Sequence, residues 1–144
     1  MAKGKKYGKL YNWYAVSDIR NVAPEGWHVS DSIDWHILIE YLGGKGLAGA
    51  KLKDVGVTWK NPNFLATNES GFTALPGAFR FYGGGFFDVN YNYVIDNGYW
   101  WTSTPIVQLP TGWAFNYSMG YSTGQIYQGS SAKRSGFSIR CVKD

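Results

Sequence analysis

Two apolar, strand-like stretches decide the fold: Tyr99-Trp100-Trp101-Thr102-Ser103-Thr104 and Gly136-Phe137-Ser138-Ile139-Arg140-Cys141-Val142. The interval between them contains no acidic residue and is rich in Ser, Tyr, Gly, Thr and Gln. Rigid aromatic rings combined with small polar side chains are typical of recognition surfaces, where the rings supply contact area and the polar groups supply adaptable hydrogen bonds. The interval therefore indicates a binding surface rather than a catalytic centre.

Alternation within this interval predicts an antiparallel meander with one dry and one wet face. One face carries Trp113, Phe115 and Tyr117, and the other carries Ala114, Asn116 and Ser118. The returning segment continues the pattern, with Ile126 on the apolar side and Gln125 and Tyr127 opposite it. We expect the wet face to join the loop from Pro105 to Thr111, where exposed Ile106, Val107 and Leu109 would form an apolar patch. An ordinary Ser/Tyr-rich surface without a ligand remains the alternative.

The N-terminal half is expected to supply one strand and two short helices. Lys9 to Val16 is short and aromatic and is predicted to be a strand covered on both faces. Ser30 or Asp31 is placed to cap the next helix, and Asp34 is placed to complete a capping box with Asp31. This helix is predicted to end at Gly43-Gly44. Its apolar residues at helical spacing are Ile33, Ile37, Leu38, Tyr41 and Leu42.

A second helix is predicted from Leu47 to about Val55, with Leu52 and Val55 facing inward. The following segment, up to Gly98, is rich in turn signals, and Phe72 to Arg80 is predicted to form one short strand region. These elements together predict an α+β fold.

Length and charge indicate one domain over residues 1–144 with a flexible leader over residues 1–6. Lys3, Lys5, Lys6 and Lys9 account for the whole net charge of +4. The rest of the chain is neutral and its basic residues are scattered, so no nucleic-acid partner is expected. No segment is long enough to insert into a membrane. If the domain works outside a cell, we expect the export signal to lie elsewhere in a longer protein.

No set of residues predicts an enzyme, a metal site or a cofactor. His28 precedes the first long helix and His36 lies within it, so the two do not share a face as zinc ligands would. Asn68-Glu69-Ser70 could offer oxygen ligands to calcium, or could be a turn bonded to its own backbone. Gly83-Gly84-Gly85 lacks the Lys-Ser/Thr that follows a phosphate loop. A lone cysteine, Cys141, indicates a buried, inert thiol and no intrachain disulfide.

Several motifs in order along the chain resemble the Fibrobacter succinogenes major paralogous domain, common on surface proteins of Bacteroidetes and their phages. They are Tyr7-Gly8-Lys9-Leu10-Tyr11-Asn12-Trp13-Tyr14-Ala15-Val16, Ala23-Pro24-Glu25-Gly26-Trp27-His28-Val29 with Trp35, Thr67-Asn68-Glu69-Ser70-Gly71-Phe72-Thr73-Ala74-Leu75-Pro76-Gly77, and the two stretches quoted above. The resemblance implies a C-type lectin fold in which two short helices pack on a small antiparallel sheet with long loops. It also implies that the N-terminal and C-terminal strands are paired.

The same resemblance implies a link to diversity-generating retroelements, which mutate adenines in the codons of a C-terminal lectin-fold segment. Mapped onto this chain, the variable segment would run over about residues 105–134. Randomising the first two bases of an Asn codon cannot produce Met119, Gln125 or Lys133. It can produce the residues found at Ile106, Val107, Leu109, Ser118, Tyr121, Thr123, Tyr127, Ser130, Ser131, Ala132 and Arg134.

The chain departs from two better-known groups with this fold. It lacks the Glu-Pro-Asn or Gln-Pro-Asp triplet and the Trp-Asn-Asp partner of lectins that bind sugars through calcium. It also lacks the paired cysteines of the formylglycine-generating oxidases. Neither activity is therefore implied by the resemblance.

The resulting hypothesis is a hypervariable receptor-recognition module of a phage or bacterial surface protein, located on the virion or the cell surface. Its ligand is a cell-surface protein or glycan, and Tyr121 and Tyr127 are the expected anchors. A calcium-independent glycan-binding module and a structural fibre domain without ligand are the alternatives. The predicted contacts are Pro105, Ile106, Val107, Leu109, Thr111, Asn116, Ser118, Tyr121, Thr123, Gln125, Tyr127, Ser130, Ser131, Ala132 and Arg134.

Overall fold

A computed structural model describes residues 6–77, 79–87, 96–107 and 112–144 of the chain. It is an α+β structure, as predicted, with helices and three small antiparallel sheets. The sheets pair β1 with β7, β2 with β3, and β4 with β5 and β6 in that order. The elements are α1 (Trp13–Val16), β1 (Trp27–Val29), α2 (Ser32–Tyr41), α3 (Lys45–Leu52), β2 (Phe79–Arg80), β3 (Phe86–Phe87), β4 (Asn97–Pro105), β5 (Trp113–Gly120), β6 (Ile126–Ala132) and β7 (Cys141–Lys143).

The two ends of the described chain are joined, which confirms the predicted pairing of N-terminal and C-terminal strands. Strand β1 runs antiparallel to β7, with Val29 opposite Cys141. Tyr11 and Phe137 form a further antiparallel bridge, in which each backbone N–H donates to the carbonyl oxygen of the other residue, at 2.8 and 3.0 Å. The predicted leader over residues 1–6 lies outside the described residues except for Lys6.

The predicted strand from Lys9 to Val16 is wrong after Tyr11. The Asn12 side chain accepts a hydrogen bond from the Ala15 backbone N–H at 3.0 Å and so caps helix α1. Trp13 and Val16, three residues apart, are buried on the same side of that helix. The described residues therefore contain a third helix, which the aromatic composition of the segment concealed.

Helix α2 begins with the predicted capping box. Asp31 accepts hydrogen bonds from the backbone N–H groups of Ile33 and Asp34, and Asp34 accepts one from the Asp31 N–H. The predicted inner face is largely wrong, because Ile33, Ile37 and Tyr41 are exposed. Leu42 is buried and Leu38 partly buried, and the interior is otherwise filled by Trp35 and Ile39. Apolar residues lie on every side of this helix, so their spacing could not select the buried side.

Helix α3 ends earlier than predicted, at Leu52. Leu52 is buried as expected, but Val55 is exposed, because the backbone turns extended at Lys53 and bridges Ala74 in parallel. The predicted strand region from Phe72 to Arg80 is therefore divided into this isolated bridge and the short strand β2. No helix among the described residues is both long and apolar enough to cross a membrane.

Two buried clusters lie on opposite faces of strand β4, because neighbouring residues of a strand point to opposite sides. Trp100 belongs to the first cluster, where Trp35 stacks on Tyr117 with ring centroids 4.8 Å apart. Trp101 belongs to the second cluster, where its ring lies 4.4 Å from that of Phe137. The sheet is consequently covered on both faces along β4 and the inner part of β5.

Candidate functional site: the outer strand of the three-stranded sheet

Strand β6 forms one side of the three-stranded sheet and pairs, within the described residues, with β5 alone. The register places Ser118 opposite Tyr127 and Phe115 opposite Ser130. Opposed residues share a face, so Ser118 and Tyr127 lie on one side of the sheet and Phe115 and Ser130 on the other. This register fixes which predicted contact residues can act together.

The expectation that side chains 114 and 116 point into solvent is wrong. Asn116 is 4% exposed, and its Nδ2 donates a hydrogen bond to the Ser131 hydroxyl at 2.8 Å. Ala114 is buried in the second cluster beside Trp101. Ile106, predicted to belong to an exposed patch, is also buried. For Ala114 the cause is the second cluster, which covers the inner part of the face that the alternation alone marked as wet.

Exposed residues are instead concentrated on β6 itself. The four residues from Tyr127 to Ser130 are all exposed, and Tyr127 is 49% exposed. Gln125 and Arg134, before and after the strand, are exposed as well. The strand carries no charged side chain. The outer strand therefore presents uncharged side chains on both faces of the sheet, with Tyr127 on one face and Gln128 and Ser130 on the other.

The remaining predicted contact residues differ in how far their side chains are exposed. Pro105 and Val107 are exposed, whereas Leu109 and Thr111 lie outside the described residues. The half-buried members are Ser118, Tyr121, Thr123, Ser131 and Ala132.

Tyr121, predicted to be an anchor, is packed into the framework. Its ring packs against the first cluster, and Lys60 Nζ lies 4.8 Å from the ring centroid. Its backbone carbonyl accepts a hydrogen bond from the Phe64 N–H at 2.7 Å. Tyr127 is therefore the better exposed of the two expected anchors.

Trp113 was missed as a candidate contact because alternation placed it on the dry face with Tyr117. Tyr117 is buried, but Trp113 at the start of β5 is 42% exposed. It faces the same side of the sheet as Phe115 and Ser130. Trp113 directly follows Gly112 and is the first residue of β5, and this terminal position was the signal that its ring could be exposed.

A cavity of about 370 Å³ borders β6 on the side of helix α3. Its lining residues are Lys45, Gly46, Gln125, Ile126, Tyr127 and Gln128. The helix approaches the strand closely at Gly49, where an added Cβ would lie 2.3 Å from the Gln125 carbonyl oxygen. The Ala50 N–H donates a hydrogen bond to the Gly124 carbonyl oxygen at 2.9 Å. Helix α3 thus fixes the position at which β6 begins.

A buried ammonium fixes the turn between β5 and β6. Lys53 is 0% exposed, and its Nζ donates hydrogen bonds to the carbonyl oxygens of Phe64 at 3.1 Å, Gly120 at 3.1 Å and Thr123 at 2.8 Å. Burial lowers the pKa of Lys53 to about 8. Sequence spacing gave no sign of this arrangement, because the three carbonyls are brought together only by the tertiary fold.

His28 contacts two carboxylates, and Cys141 is half-buried. His28 lies between Asp144, 2.6 Å from Nδ1, and Asp34, 3.1 Å from Nε2, and these hydrogen bonds raise its pKa. Burial raises the pKa of the half-buried Cys141 thiol, which makes its reactive thiolate less available. In the described ranges, no group of three His, Cys, Asp or Glu side chains is arranged to hold a metal ion.

Asn68-Glu69-Ser70 forms a turn that is held by hydrogen bonds and an ion pair to nearby residues. Asn68 Oδ1 accepts a hydrogen bond from the Thr73 N–H at 2.8 Å, and the Ser70 hydroxyl donates one to the Lys51 carbonyl oxygen at 2.8 Å. Glu69 forms a surface ion pair with Lys51 at 2.9 Å. One oxygen each of Asn68, Glu69 and Ser70 takes part in these contacts.

In a comparison with protein families, a family described as the Fibrobacter succinogenes major domain matches residues 1–143. The comparison with curated proteins gave no match, and the comparison with solved structures gave none either.

Proposed function

Because the chain belongs to the Fibrobacter succinogenes major domain family over residues 1–143, we propose that it is a ligand-binding module with a C-type-lectin-like fold. The module recognises a protein or another ligand at a cell surface, and works at the exposed end of a phage or bacterial surface protein. Neither an enzyme activity nor a cofactor forms part of the proposal. The paired terminal strands and the small three-stranded sheet support the lectin-like assignment.

The observation that carries the proposal is the exposed, uncharged outer strand β6 on a rigid support. Ile126 at its start is buried in the first cluster, while Tyr127 to Ser130 are exposed. Side chains on a strand with a fixed backbone lose little further freedom on binding, which favours affinity. Tyr127 supplies a large ring with few rotatable bonds, as anchors in recognition surfaces do.

Diversification of residues 105–134 by a retroelement is the second part of the proposal, and this segment includes the exposed strand β6. Of the residues in this segment that a mutated Asn codon can produce, Val107, Tyr127 and Ser130 are exposed. The same codon can also produce the buried residues Ala114, Asn116, Tyr117 and Ile126. Of the residues that it cannot produce, Met119 is buried in the first cluster and Lys133 Nζ lies 4.5 Å from the ring centroid of Trp13. Gln125 and Gln128, which that codon also cannot produce, are exposed. Codon reachability therefore does not follow burial in this segment, and the DNA sequence is the test of diversification.

Sequencing the DNA downstream of the coding region tests the diversification. The proposal expects a near-copy of the segment for residues 105–134 that differs only at adenines, beside a gene for a reverse transcriptase. Copies that differ at all four bases, or the absence of any copy in the complete genome, would contradict this part of the proposal.

Glycan recognition is the second candidate, favoured by the exposed rings of Trp113 and Tyr127, which lie on opposite faces of the sheet and are two separate candidate platforms. Aromatic faces can serve as platforms for the apolar faces of sugar rings. A glycan array distinguishes the candidates: reproducible binding to one sugar class, lost in Tyr127→Ala or Trp113→Ala, supports glycan recognition. An empty array together with capture of one host surface protein supports a protein receptor. If neither is seen and β6 is covered by a neighbouring domain in the full protein, the domain is structural.

A further inference from the structure

A cleft of about 620 Å³ lies between helix α2, the turn at Gly71 and Phe72, and strand β7. This volume is within the range of about 300–1,000 Å³ that is usual for small-molecule sites. Its apolar wall is formed by Trp35, Ile37, Leu38, Tyr41, Phe72 and Val142. None of these residues belongs to the β6 surface, so the cleft is a separate candidate site.

The rim of the cleft exposes apolar area that the fold itself does not bury. Ile37 is 63% exposed and Tyr41 lies one turn further along the same helix, also exposed. Below them, the Trp35 and Phe72 rings pack with their centroids 5.6 Å apart and form the floor. A ligand with an apolar body would remove this surface from water, which is favourable by roughly 25 cal/mol per Å² of buried apolar area.

The charged residues that line the cleft are Arg140 and Asp34. The Arg140 guanidinium lies 4.4 Å from the Phe72 ring centroid, and its Nη2 donates hydrogen bonds to the carbonyl oxygens of Phe72 and Thr73 at 3.0 and 3.3 Å. Within the described residues no carboxylate forms an ion pair with Arg140. Asp34, also at the cleft, is already paired with His28 and with the Asp31 N–H. A half-buried guanidinium without a counter-ion favours an anionic ligand group, because hydrogen bonds between ionised partners are stronger than neutral ones.

Two further residues that line the cleft carry buried polar atoms without a partner in the described part of the chain. They are the Trp35 indole Nε1 and the Ser30 hydroxyl. A buried donor left unpaired costs about 1–3 kcal/mol, and such groups in native structures call for an explanation. Both atoms are buried from solvent, so a ligand in the cleft would contact them only if the lining side chains moved.

We propose that this cleft binds a small organic anion with an aromatic or aliphatic body and one carboxylate or sulfonate group. The body lies on Trp35, Leu38 and Phe72, and the anionic group faces Arg140. The cleft shares no lining residue with the β6 surface, so ligand binding in the cleft does not depend on which ligand β6 recognises.

The fluorescent probe 1-anilinonaphthalene-8-sulfonate tests the proposal, since it joins an aromatic body to one sulfonate. Its uncharged analogue N-phenyl-1-naphthylamine has the same body without the anion. Titration of the folded protein is expected to give saturable fluorescence with one site, at least about tenfold tighter for the sulfonate than for the analogue, which corresponds to about 1.4 kcal/mol. Equal affinity for both probes would overturn the anionic part of the proposal.

A matched pair of variants locates the site. Ile37→Glu places a repelling charge on the rim, whereas Ile33→Glu makes the same change on the same helix outside the cleft lining. The two isoleucines are 63% and 67% exposed, so both variants are expected to fold. Ile37→Glu should weaken sulfonate binding by about tenfold or more, and Ile33→Glu by less than about twofold. An equal effect of the two variants would overturn the proposal.

Amide chemical shifts on probe binding give an independent location. Shifts concentrated at Ile37, Phe72 and Cys141 are expected. Shifts concentrated at Tyr127 and Gln128 would overturn the assignment to this cleft while leaving the β6 proposal intact.

Discussion

The ammonium of Lys53 donates a hydrogen bond to the carbonyl oxygen of Thr123 at 2.8 Å, across 70 residues of sequence. The same nitrogen reaches the carbonyls of Gly120 and Phe64. One buried charge therefore joins the end of helix α3, the loop at Phe64 and the turn that leads into β6. Strand β6 is therefore positioned by contacts between distant residues, which no local sequence pattern predicts.

Replacing Lys53 by Met should destabilise the protein by about 2–4 kcal/mol, because buried carbonyl oxygens lose their donor. Urea unfolding measures the change. The matched control is Lys51→Met, two residues earlier, where the lysine forms a surface ion pair with Glu69. That pair is worth at most about 1 kcal/mol. Equal losses in the two variants would show that the carbonyl contacts of Lys53 contribute little.

Two glycines of helix α3 should respond to Ala with opposite signs. At Gly46 no atom lies within 4 Å of an added Cβ, so Gly46→Ala should stabilise by about 0.5–1 kcal/mol through helix propensity. At Gly49 the added Cβ would lie 2.3 Å from the Gln125 carbonyl oxygen, so Gly49→Ala should destabilise by about 1–3 kcal/mol. Thermal unfolding of both variants checks the signs. A stabilising Gly49→Ala would mean that α3 does not pack directly against the start of β6.

Protonation of His28 should stabilise the fold at low pH. Hydrogen bonds that the His28 ring donates to the carboxylates of Asp144 and Asp34 raise its folded pKa above the ordinary value of 6.5. The folded state therefore holds the proton more tightly than the unfolded state, and the stabilisation is fully present below pH 6.5. It is lost as the pH rises through the raised folded pKa. Urea unfolding of the wild type across this window should show that its free energy of unfolding falls as the pH rises. The fall should be smaller in His28→Gln.

Asp144→Asn provides the second arm of this experiment, because it removes the partner with the larger effect on the His28 pKa. This variant should also make the free energy of unfolding depend less on pH. Parallel curves for all three proteins would contradict the assignment to His28.

The exposed rings should matter for binding and little for folding. Tyr127→Ala and Trp113→Ala are each expected to change the unfolding free energy by less than about 1 kcal/mol, as substitutions at exposed sites usually do. Tyr117→Ala, in the first cluster, should cost about 3–5 kcal/mol. For a ligand recovered from a glycan array or by receptor capture, Tyr127→Ala should weaken binding by about 2 kcal/mol or more. Unchanged affinity would remove Tyr127 from the site.

Features with a local physical cause could be predicted from the sequence. The capping box needs only Asp31 and Asp34 at the correct spacing, and it is present. The end of the first long helix at Gly43-Gly44 and the buried Leu52 follow from equally local signals. The pairing of the terminal strands came instead from the resemblance to a family, whose match runs over nearly the whole chain.

Features that depend on how distant segments pack could not be predicted in this way. Alternation in β5 separates two faces but does not show that clusters around Trp100 and Trp101 cover both of them. Asn116 is therefore buried and Trp113 is exposed, the reverse of the prediction. The buried side of α2 was equally hidden, since only the position of Trp35 against Tyr117 selects it.

Display of two libraries on the same scaffold tests most directly whether β6 is a binding surface. The first library randomises Trp113, Tyr127, Gln128 and Ser130, and the control library randomises the exposed residues Ser17, Glu25, His36 and Glu40. Both should yield mostly folded protein, and selection against one immobilised protein target should enrich saturable binders from the first library alone. Equal enrichment from both, or widespread unfolding in the first library only, would contradict the account.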